Sequence, residues 1–219
     1  MKKIKDTIKR IPLIRDYISF RSVYYECSSK YKFLLGRFFP RMLIDKVYWP
    51  VHKSSEIRGN VFIGKGSRVG HRPNCIIQGR GVVYIGNYVE IGPNSVVISG
   101  NHSLICQEEV VRKKTIIGDY SWIASSCVIL AGVVLGPRTV VGAGSVVTKS
   151  FPDGYCVIAG NPARIVKHIP KDDFIPPKVD VEYYGYIRAD KFEKIFKTSK
   201  RCKGLNNMLN LIQKTDIDV

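Results

Sequence analysis

The chain has 219 residues, 45% of them hydrophobic, and a formal net charge of +17. This length and hydrophobic content suffice for one good-sized domain with flanking pieces, and they exclude a globally disordered chain. No apolar run approaches the roughly 18 residues that a membrane-spanning helix needs. Charges interrupt every apolar run near the start of the chain, so we expect no signal peptide.

The cysteines indicate a reducing compartment. The chain has six cysteines and no CxxC pair, and two of them, Cys75 and Cys127, fall on the six-residue repeat described below. We therefore expect buried free thiols and a cytoplasmic protein. Nothing in the chain resembles a zinc finger or another nucleic-acid motif, so no nucleic-acid partner is expected.

The first predicted element is a basic helical region over residues 1–54, with helices broken at Pro12 and Pro40. Residues 1–53 contain 13 basic and 4 acidic residues, a net charge of +9. One predicted helical face carries Ile4, Ile8 and Ile11. Two interpretations stay open: a helical cap on the first coil or on a neighbouring subunit, and a dock on an anionic membrane surface. The second would make the protein peripheral at the inner membrane face.

The central element, residues 55–168, repeats with a period of six. An aliphatic residue begins each unit, and the aliphatic positions of the clearest run are Ile117, Ile123, Ile129, Leu135, Val141 and Val147. Alternation along a strand turns this residue inward, and a small residue at the fifth position also faces the interior. Three units close a coil of about 18 residues, and the coils stack by parallel pairing. The period therefore predicts an all-β, parallel β-helix.

The repeat extends upstream with two interruptions. Its earlier aliphatic positions are Ile57, Ile63, Val69 and Cys75, followed by Ile85, Ile91 and Val97. The stretch "IIQGRGVVY" adds four residues after Cys75, and 14 residues loop out between Val97 and Ile117. Thirteen units on one spacing predict about four coils.

Residues 169–219 are predicted to be a linker followed by two short amphipathic helices. The linker contains "PKDDFIPPKVD", and the helices are "ADKFEKIFKTSKR" and "LNNMLNLIQK". Because an amphipathic helix must bury its apolar face, we expect these helices to cover the last coil.

The repeat, with "NHS", "SWIASSCVILAGV", "VVGAGSVVTKSFP" and "VIAGNPARIV", resembles the hexapeptide-repeat acyltransferases, which fold as a left-handed parallel β-helix. The most similar branch contains the galactoside, maltose and xenobiotic acetyltransferases and the polysaccharide O-acetyltransferases. The resemblance covers residues 55–168 and neither flank. It implies acetyl-CoA as acetyl donor, and a homotrimer in which each active site lies between two subunits.

His102 is the predicted catalytic base. It begins the 14-residue excursion, and a loop that leaves a rigid scaffold often carries function. Transfer from a thioester to a hydroxyl needs a base that works near neutral pH, which suits histidine. The resemblance places the catalytic histidine at this point. Its orienting partner stays open among Glu109, Glu108, Glu90 and a backbone carbonyl, with Glu109 taken as the candidate.

The remaining candidates follow from the resemblance and from position in the repeat. As contacts to the cofactor, the resemblance implies Trp122, Ser125, Ala143, Thr148, Lys149, Arg164 and Lys167, the three basic residues serving its phosphates. The candidate acceptor contacts are Asn101, His71 and Glu90, with His71 expected to point outward. The "WIA" of this chain departs from the commoner "WIG", which matters only if Ala124 needs a positive φ.

The sequence thus predicts an O-acetyltransferase that modifies a sugar hydroxyl, in a surface polysaccharide or its precursor. An N-acetyltransferase of an amino sugar and a non-catalytic hexapeptide scaffold stay open as alternatives. No metal site is expected. The γ-class carbonic anhydrases share this fold but need three zinc-binding histidines, two of them closely spaced, and the four histidines of this chain include no such pair.

Overall fold

The computed structural model describes residues 11–23, 29–44, 48–179 and 181–196. The helices are α1 (Pro12–Val23), α2 (Lys30–Phe38), α3 (Pro40–Ile44) and α4 (Ala189–Phe196). The strands are β1 (Glu56–Ile63), β2 (Ile76–Ile85), β3 (Glu90–Ile91), β4 (Val96–Ile98), β5 (Gly100–His102), β6 (Val110–Arg112), β7 (Lys114–Ile117), β8 (Trp122–Ile123), β9 (Val128–Ile129), β10 (Val134–Leu135), β11 (Thr139–Val141), β12 (Val146–Val147), β13 (Cys156–Gly160), β14 (Ala163–His168), β15 (Tyr183–Tyr184) and β16 (Ile187–Arg188). Among the described helices, none has the length and apolar character to cross a membrane.

The strands of the central region stack in parallel on three faces. The first face holds the first halves of β1 and β2, then β4, β9 and β12. The second holds the second halves of β1 and β2, then β7 and β10. The third holds β3, β8, β11 and β13. This confirms the left-handed parallel β-helix with helical flanks, in about five turns where the unit count predicts about four.

The corners of each coil are numbered by the faces that they join. Corner 1 joins the first face to the second, corner 2 joins the second to the third, and corner 3 joins the third to the first face of the next coil. Seven corner residues, each three positions after an inward aliphatic residue, have φ between 55° and 70°. They are Gly66, Tyr88, Asn94, Tyr120, Ser126, Arg138 and Gly144. Ala124 is not among the residues with positive φ, so its departure from glycine causes no backbone strain.

Aliphatic side chains form one continuous column inside the coils. On the first face Ile77, Val97, Ile129 and Val147 follow one another, and each is fully buried. The predicted small positions are buried as well, at 0–2% exposure: Ser121, Cys127, Val133, Thr139 and Ser145. The hydroxyls of the serines and the threonine donate hydrogen bonds to carbonyl groups in the turns, as Ser145 Oγ does to the Gly142 oxygen at 2.6 Å. The interior therefore needs no unpaired polar group at these serines and threonines.

The predicted register is wrong at Cys75. Ile77 occupies the aliphatic position, because it is the Cα partner of Ile57 and Val97, and Cys75 takes the small position two residues earlier. The four additional residues are consequently two separate insertions of two. The first is His71–Arg72 at corner 3, where "GHRPNCII" replaces the "GPNSVV" of the next coil. The second lies at the following corner 1.

The N-terminal helices and the C-terminal segment meet at the first coils. Phe20 of α1 and Phe33 of α2 pack against Tyr183 of β15, with ring centroids 5.6 Å and 6.4 Å away. Phe196 of α4 packs on Phe62 of β1 at 5.9 Å. The prediction that the C-terminal helices cover the last coil is therefore wrong for α4, which returns to the first. The predicted helix "LNNMLNLIQK" and residues Ile4 and Ile8 lie outside the described residues.

Residues 169–179, named the strap here, connect the last coil to the first along corner 2. Phe174 packs against Tyr120 at 4.7 Å and lies beneath the Arg138 guanidinium at 4.3 Å. Beyond the strap, the Glu182 carboxylate accepts a hydrogen bond from Lys65 Nζ at 2.8 Å and one from the Tyr88 hydroxyl. Burial and the bond to Glu182 raise the pKa of Tyr88, so it remains the protonated donor. Corner 2 is thus covered by the chain itself, and the strap leaves corners 1 and 3 free.

We expect Asp16→Asn to lower the free energy of unfolding by about 2 to 3 kcal/mol, because it removes the charge that pairs two arginines in a buried setting. The Asp16 carboxylate is fully buried, 3.0 Å from Arg188 Nη1 and 3.5 Å from Arg37 Nη1. Denaturant unfolding measures the effect. Asp190→Asn is the control, since that carboxylate also binds Arg188, at 3.1 Å, but is 58% exposed. Equal losses in the two variants would contradict the role assigned to Asp16.

Candidate active site

The excursion at corner 1 begins and ends as a two-stranded ribbon, in which β5 and β6 pair antiparallel with His102 opposite Val110. His102 Nδ1 lies 2.6 Å from the carbonyl oxygen of Gln107. Because a carbonyl only accepts, Nδ1 is the donor, and in the neutral imidazole the lone pair then lies on Nε2. The side chain is exposed. The loop therefore leaves the His102 ring accessible.

Arg80 is a neighbour of His102 that sequence reasoning missed. Its Nη1 lies 3.3 Å from His102 Nε2 and can donate to the lone pair there. Arg80 belongs to the second two-residue insertion, which lies at corner 1 one coil below the excursion. Two consecutive coils that are both enlarged at the same corner would have indicated this contact, but only with the register of Ile77 correctly assigned.

The predicted orienting carboxylates do not contact His102 among the described hydrogen bonds. Glu108 and Glu109 are both exposed, and the Glu109 backbone bonds Cys106 and Ser103 within the loop. The partner of Nδ1 is the Gln107 carbonyl, one of the alternatives that the sequence left open. A catalytic role of Glu109 stays a prediction.

Three further predicted residues share corner 1 with His102. Asn101 is exposed in β5 opposite Val111. Thr148 and Lys149 follow β12 and are also exposed, with Lys149 Nζ 5.6 Å from the centre of the Phe151 ring. Corner 1 therefore carries the candidate base together with a threonine and a lysine of the predicted cofactor contacts.

The other predicted cofactor contacts lie on the third face and at corner 3. Trp122 is 53% exposed on the third face. Ser125 and Ala143 stack on successive coils at corner 3, where the Ser125 carbonyl accepts from the Gly144 amide at 3.0 Å. Arg164 and Lys167 are exposed on β14, which pairs with β13 of the same face. The Trp122 indole, corner 3 and the two cations of β14 thus lie on one continuous surface.

The two remaining acceptor candidates lie away from His102. Glu90 is the Cα partner of Trp122 on the third face, and its carboxylate lies 3.8 Å from Arg68 Nη1. His71 is 1% exposed, so the prediction that it points outward is wrong. It belongs to the insertion at corner 3, which directs its ring into the protein, and a spacing argument based on Cys75 could not place it.

In one chain the candidate residues therefore form two groups on different corners. His102, Asn101, Thr148 and Lys149 belong to corner 1. The third face and corner 3 hold Trp122, Glu90, Ser125, Ala143, Arg164 and Lys167. The first face separates these groups, so a single subunit does not bring all the predicted residues together.

The buried cysteines are poor nucleophiles. Burial raises the pKa of the Cys75, Cys127 and Cys156 thiols, which disfavours the reactive thiolate. Within the described ranges, no group of three or more histidine, cysteine or acidic side chains is arranged to hold a metal ion.

Comparison with known proteins identifies the family. The family described as bacterial transferase hexapeptide (six repeats) matches residues 114–149. Galactoside O-acetyltransferase of Escherichia coli is 36% identical over 142 residues, covering 60% of this chain and 69% of that protein. The enzyme of the same name from Lactococcus lactis is 33% identical over 96 residues, covering 42% and 46%.

One solved structure is also similar to this chain. The hexapeptide-repeat containing acetyltransferase of Vibrio cholerae is 24% identical, with a TM-score of 0.48 over 71% of this chain and 94% of that one. The chain spans about half the length of several curated relatives that it matches. The Escherichia coli protein is covered over more than two thirds, and the repeat, the fold and this match agree. The chain belongs to the hexapeptide-repeat acyltransferase family.

Proposed function

We propose that this protein transfers the acetyl group of acetyl-CoA to a sugar hydroxyl, in a surface polysaccharide or its precursor, with His102 as general base. The observation that carries the proposal is the hydrogen bond from His102 Nδ1 to the Gln107 carbonyl. In the neutral imidazole this bond leaves the lone pair on Nε2, on an exposed loop, where a base for a hydroxyl needs it. Relatives named galactoside O-acetyltransferase support a sugar acceptor.

The proposed reaction needs one proton carrier. His102 Nε2 removes the proton of the acceptor hydroxyl as its oxygen attacks the acetyl carbonyl of the thioester. The C–S bond then breaks, coenzyme A leaves as a thiolate, and the imidazolium returns the proton to that sulfur. The Nδ1 bond to Gln107 holds the ring through both transfers. Arg80 occupies the Nε2 lone pair here, so the acceptor hydroxyl must displace it.

The residues of the third face and corner 3 fit a long polyanionic cofactor. Acetyl-CoA combines a narrow apolar arm with phosphate groups. Trp122 offers an exposed apolar surface for the arm, and Ala143 leaves space beside it at corner 3. Arg164 and Lys167, exposed on β14, would bind phosphates through charge-assisted hydrogen bonds. Lys149 would do the same from corner 1.

A homotrimer would complete the site. His102 and the cofactor contacts on the third face belong to different corners of one chain, and the first face lies between them. The strap covers corner 2 and leaves corners 1 and 3 free to meet across a subunit contact. Corner 1 of one subunit against corner 3 of the next would put His102 beside the cofactor. The threefold repetition of this contact closes a ring.

The activity is tested by thiol release from acetyl-CoA in the presence of galactosides, other neutral sugars and amino sugars. We expect release that depends on a hydroxyl acceptor, and a product that mild hydroxylamine cleaves, as it does an ester. A product that resists hydroxylamine would be an amide and would favour the amino-sugar alternative. Acetyl-CoA binding without release for any acceptor would favour the non-catalytic scaffold.

The shared site is tested by mixing two inactive variants. We expect His102→Ala and Ala143→Trp, which fills the open corner, each to abolish most activity. Refolded together, they should regain part of it, because mixed trimers contain sites with an intact His102 from one subunit and an intact Ala143 from the next. Each variant refolded alone is the control. Mixed trimers without recovered activity would contradict a site built from two subunits.

A further inference from the structure

The N-terminal helices expose an apolar stripe. On α2 the exposed residues Tyr31, Leu34 and Phe38 follow one another at intervals of three and four, so they share one helical face. Phe39 and Met42 continue it, at 60% and 57% exposure. Single exposed apolar residues are ordinary on a protein surface, whereas a contiguous group indicates a binding surface.

Packing on the opposite side of α2 holds the helix so that this stripe faces solvent. Phe33 is 2% exposed and packs on Phe20 and Tyr183. Gly36 lies so close to the Tyr186 carbonyl that a Cβ there would overlap it. Rotation of α2 that buried Leu34 would therefore break the aromatic cluster and drive a larger residue into the Tyr186 backbone. Within the described chain, the stripe has no alternative orientation.

The helices that carry the stripe are cationic. The described part of α1, α2 and α3 contains one acidic residue, Asp16, which is fully buried against Arg37 and Arg188. Lys30 and Arg41 are exposed on the same helices as the stripe, whereas Lys32 Nζ lies over the Tyr186 ring at 5.9 Å, on the other flank of α2. Phe38, Phe39, Pro40 and Met42, with Arg41 and Ile195, line an apolar groove at one end. An apolar groove with a cation in its wall fits an acyl chain that carries an anionic headgroup.

We propose that Tyr31, Leu34, Phe38, Phe39 and Met42, with Lys30 and Arg41, form a surface that docks on an anionic lipid bilayer. This apolar–basic surface has the composition of interfacial helices, in which aromatic and aliphatic side chains enter the headgroup region and lysines and arginines contact anionic lipid. A second copy of the chain fits worse, because it would bring the cations of both copies together without acidic partners. The docking surface is independent of the proposed activity.

The test is sedimentation of the full-length protein with vesicles of phosphatidylcholine alone, or mixed with phosphatidylglycerol. We expect binding to the mixed vesicles at low salt, with weaker binding at high salt. Phe38→Gln combined with Phe39→Gln should weaken partitioning by about tenfold or more, since each buried aromatic side chain contributes substantially. Ile175→Gln combined with Val166→Gln is the matched control, because both residues are exposed elsewhere and should leave binding unchanged.

A charge series tests the second part of the surface. Lys30→Gln and Arg41→Gln together should also weaken binding by about tenfold or more, because each cation near an anionic bilayer contributes to the attraction. Lys114→Gln combined with Lys178→Gln removes the same charge elsewhere and should have less effect. The proposal is overturned if the full-length protein does not bind the anionic vesicles at low salt. It is also overturned if both surface variants bind like the unchanged chain, or if the aromatic variant changes the oligomeric mass in light scattering.

Discussion

Replacement of His102 by alanine should lower turnover by about 100- to 10,000-fold, the usual contribution of a positioned general base. His102 is exposed in the β5–β6 ribbon and contributes nothing to the buried aliphatic column. The fold, its thermal stability and acetyl-CoA binding should therefore stay close to those of the unchanged chain. Thiol release with a saturating sugar acceptor measures the change in turnover.

His52→Ala is the control for loss of a histidine as such. His52 bonds Ser54 through Nδ1 at 2.9 Å and lies outside the candidate site, so its removal should leave turnover nearly unchanged. His102→Gln gives a second comparison, because it retains a polar side chain of similar reach but cannot take up a proton. Near-normal turnover in both His102 variants would assign the base to another residue.

Replacement of Ile129 by aspartate should abolish folding. Ile129 is fully buried between Val97 and Val147 of the neighbouring coils, where no cation can reach a carboxylate. An unpaired buried charge costs several kcal/mol, and the lost aliphatic contacts add to it, so the sum approaches the roughly 5 to 15 kcal/mol by which a domain is stable. Insoluble protein, or the absence of a cooperative thermal transition, is the expected result.

Val166→Asp is the matched control, because Val166 is 62% exposed on β14. The same introduced negative charge should leave the protein folded when it lies at this exposed position. Ile129→Val removes one methyl group from the column and should cost only about 1 kcal/mol. A soluble and normally stable Ile129→Asp protein would mean that Ile129 does not face the interior.

The fold was predictable because the period of six repeats the same physical requirement thirteen times. An inward aliphatic residue and a small residue two positions earlier are needed at every strand, and positions such as Ser121 and Ile123 meet it. The register failed at the two-residue insertion His71–Arg72. A spacing of six from Val69 leads to Cys75, and spacing alone could not show that the insertion moves the inward position to Ile77.

The sequence names candidate residues for the site but not their arrangement. A histidine on a loop that leaves a rigid scaffold is visible in the sequence, but the Gln107 carbonyl that holds His102 depends on how the ribbon closes. The contact with Arg80 depends on a corner one coil away. The sequence likewise did not show where α4 packs. An amphipathic helix indicates that it needs an apolar partner, but it does not indicate which end of the stack provides that partner.

The strap changes how this stack should come apart. Repeat proteins are quasi-one-dimensional, so their terminal units fray first and unfolding can proceed unit by unit. Here Phe174 is held by Tyr120 and Arg138, and the segment beyond it is joined to the first coil through Glu182 and Lys65. The last coil therefore cannot unfold without also disturbing the first coil. The stack should therefore melt as one cooperative unit, closer to a globular domain than to an open solenoid.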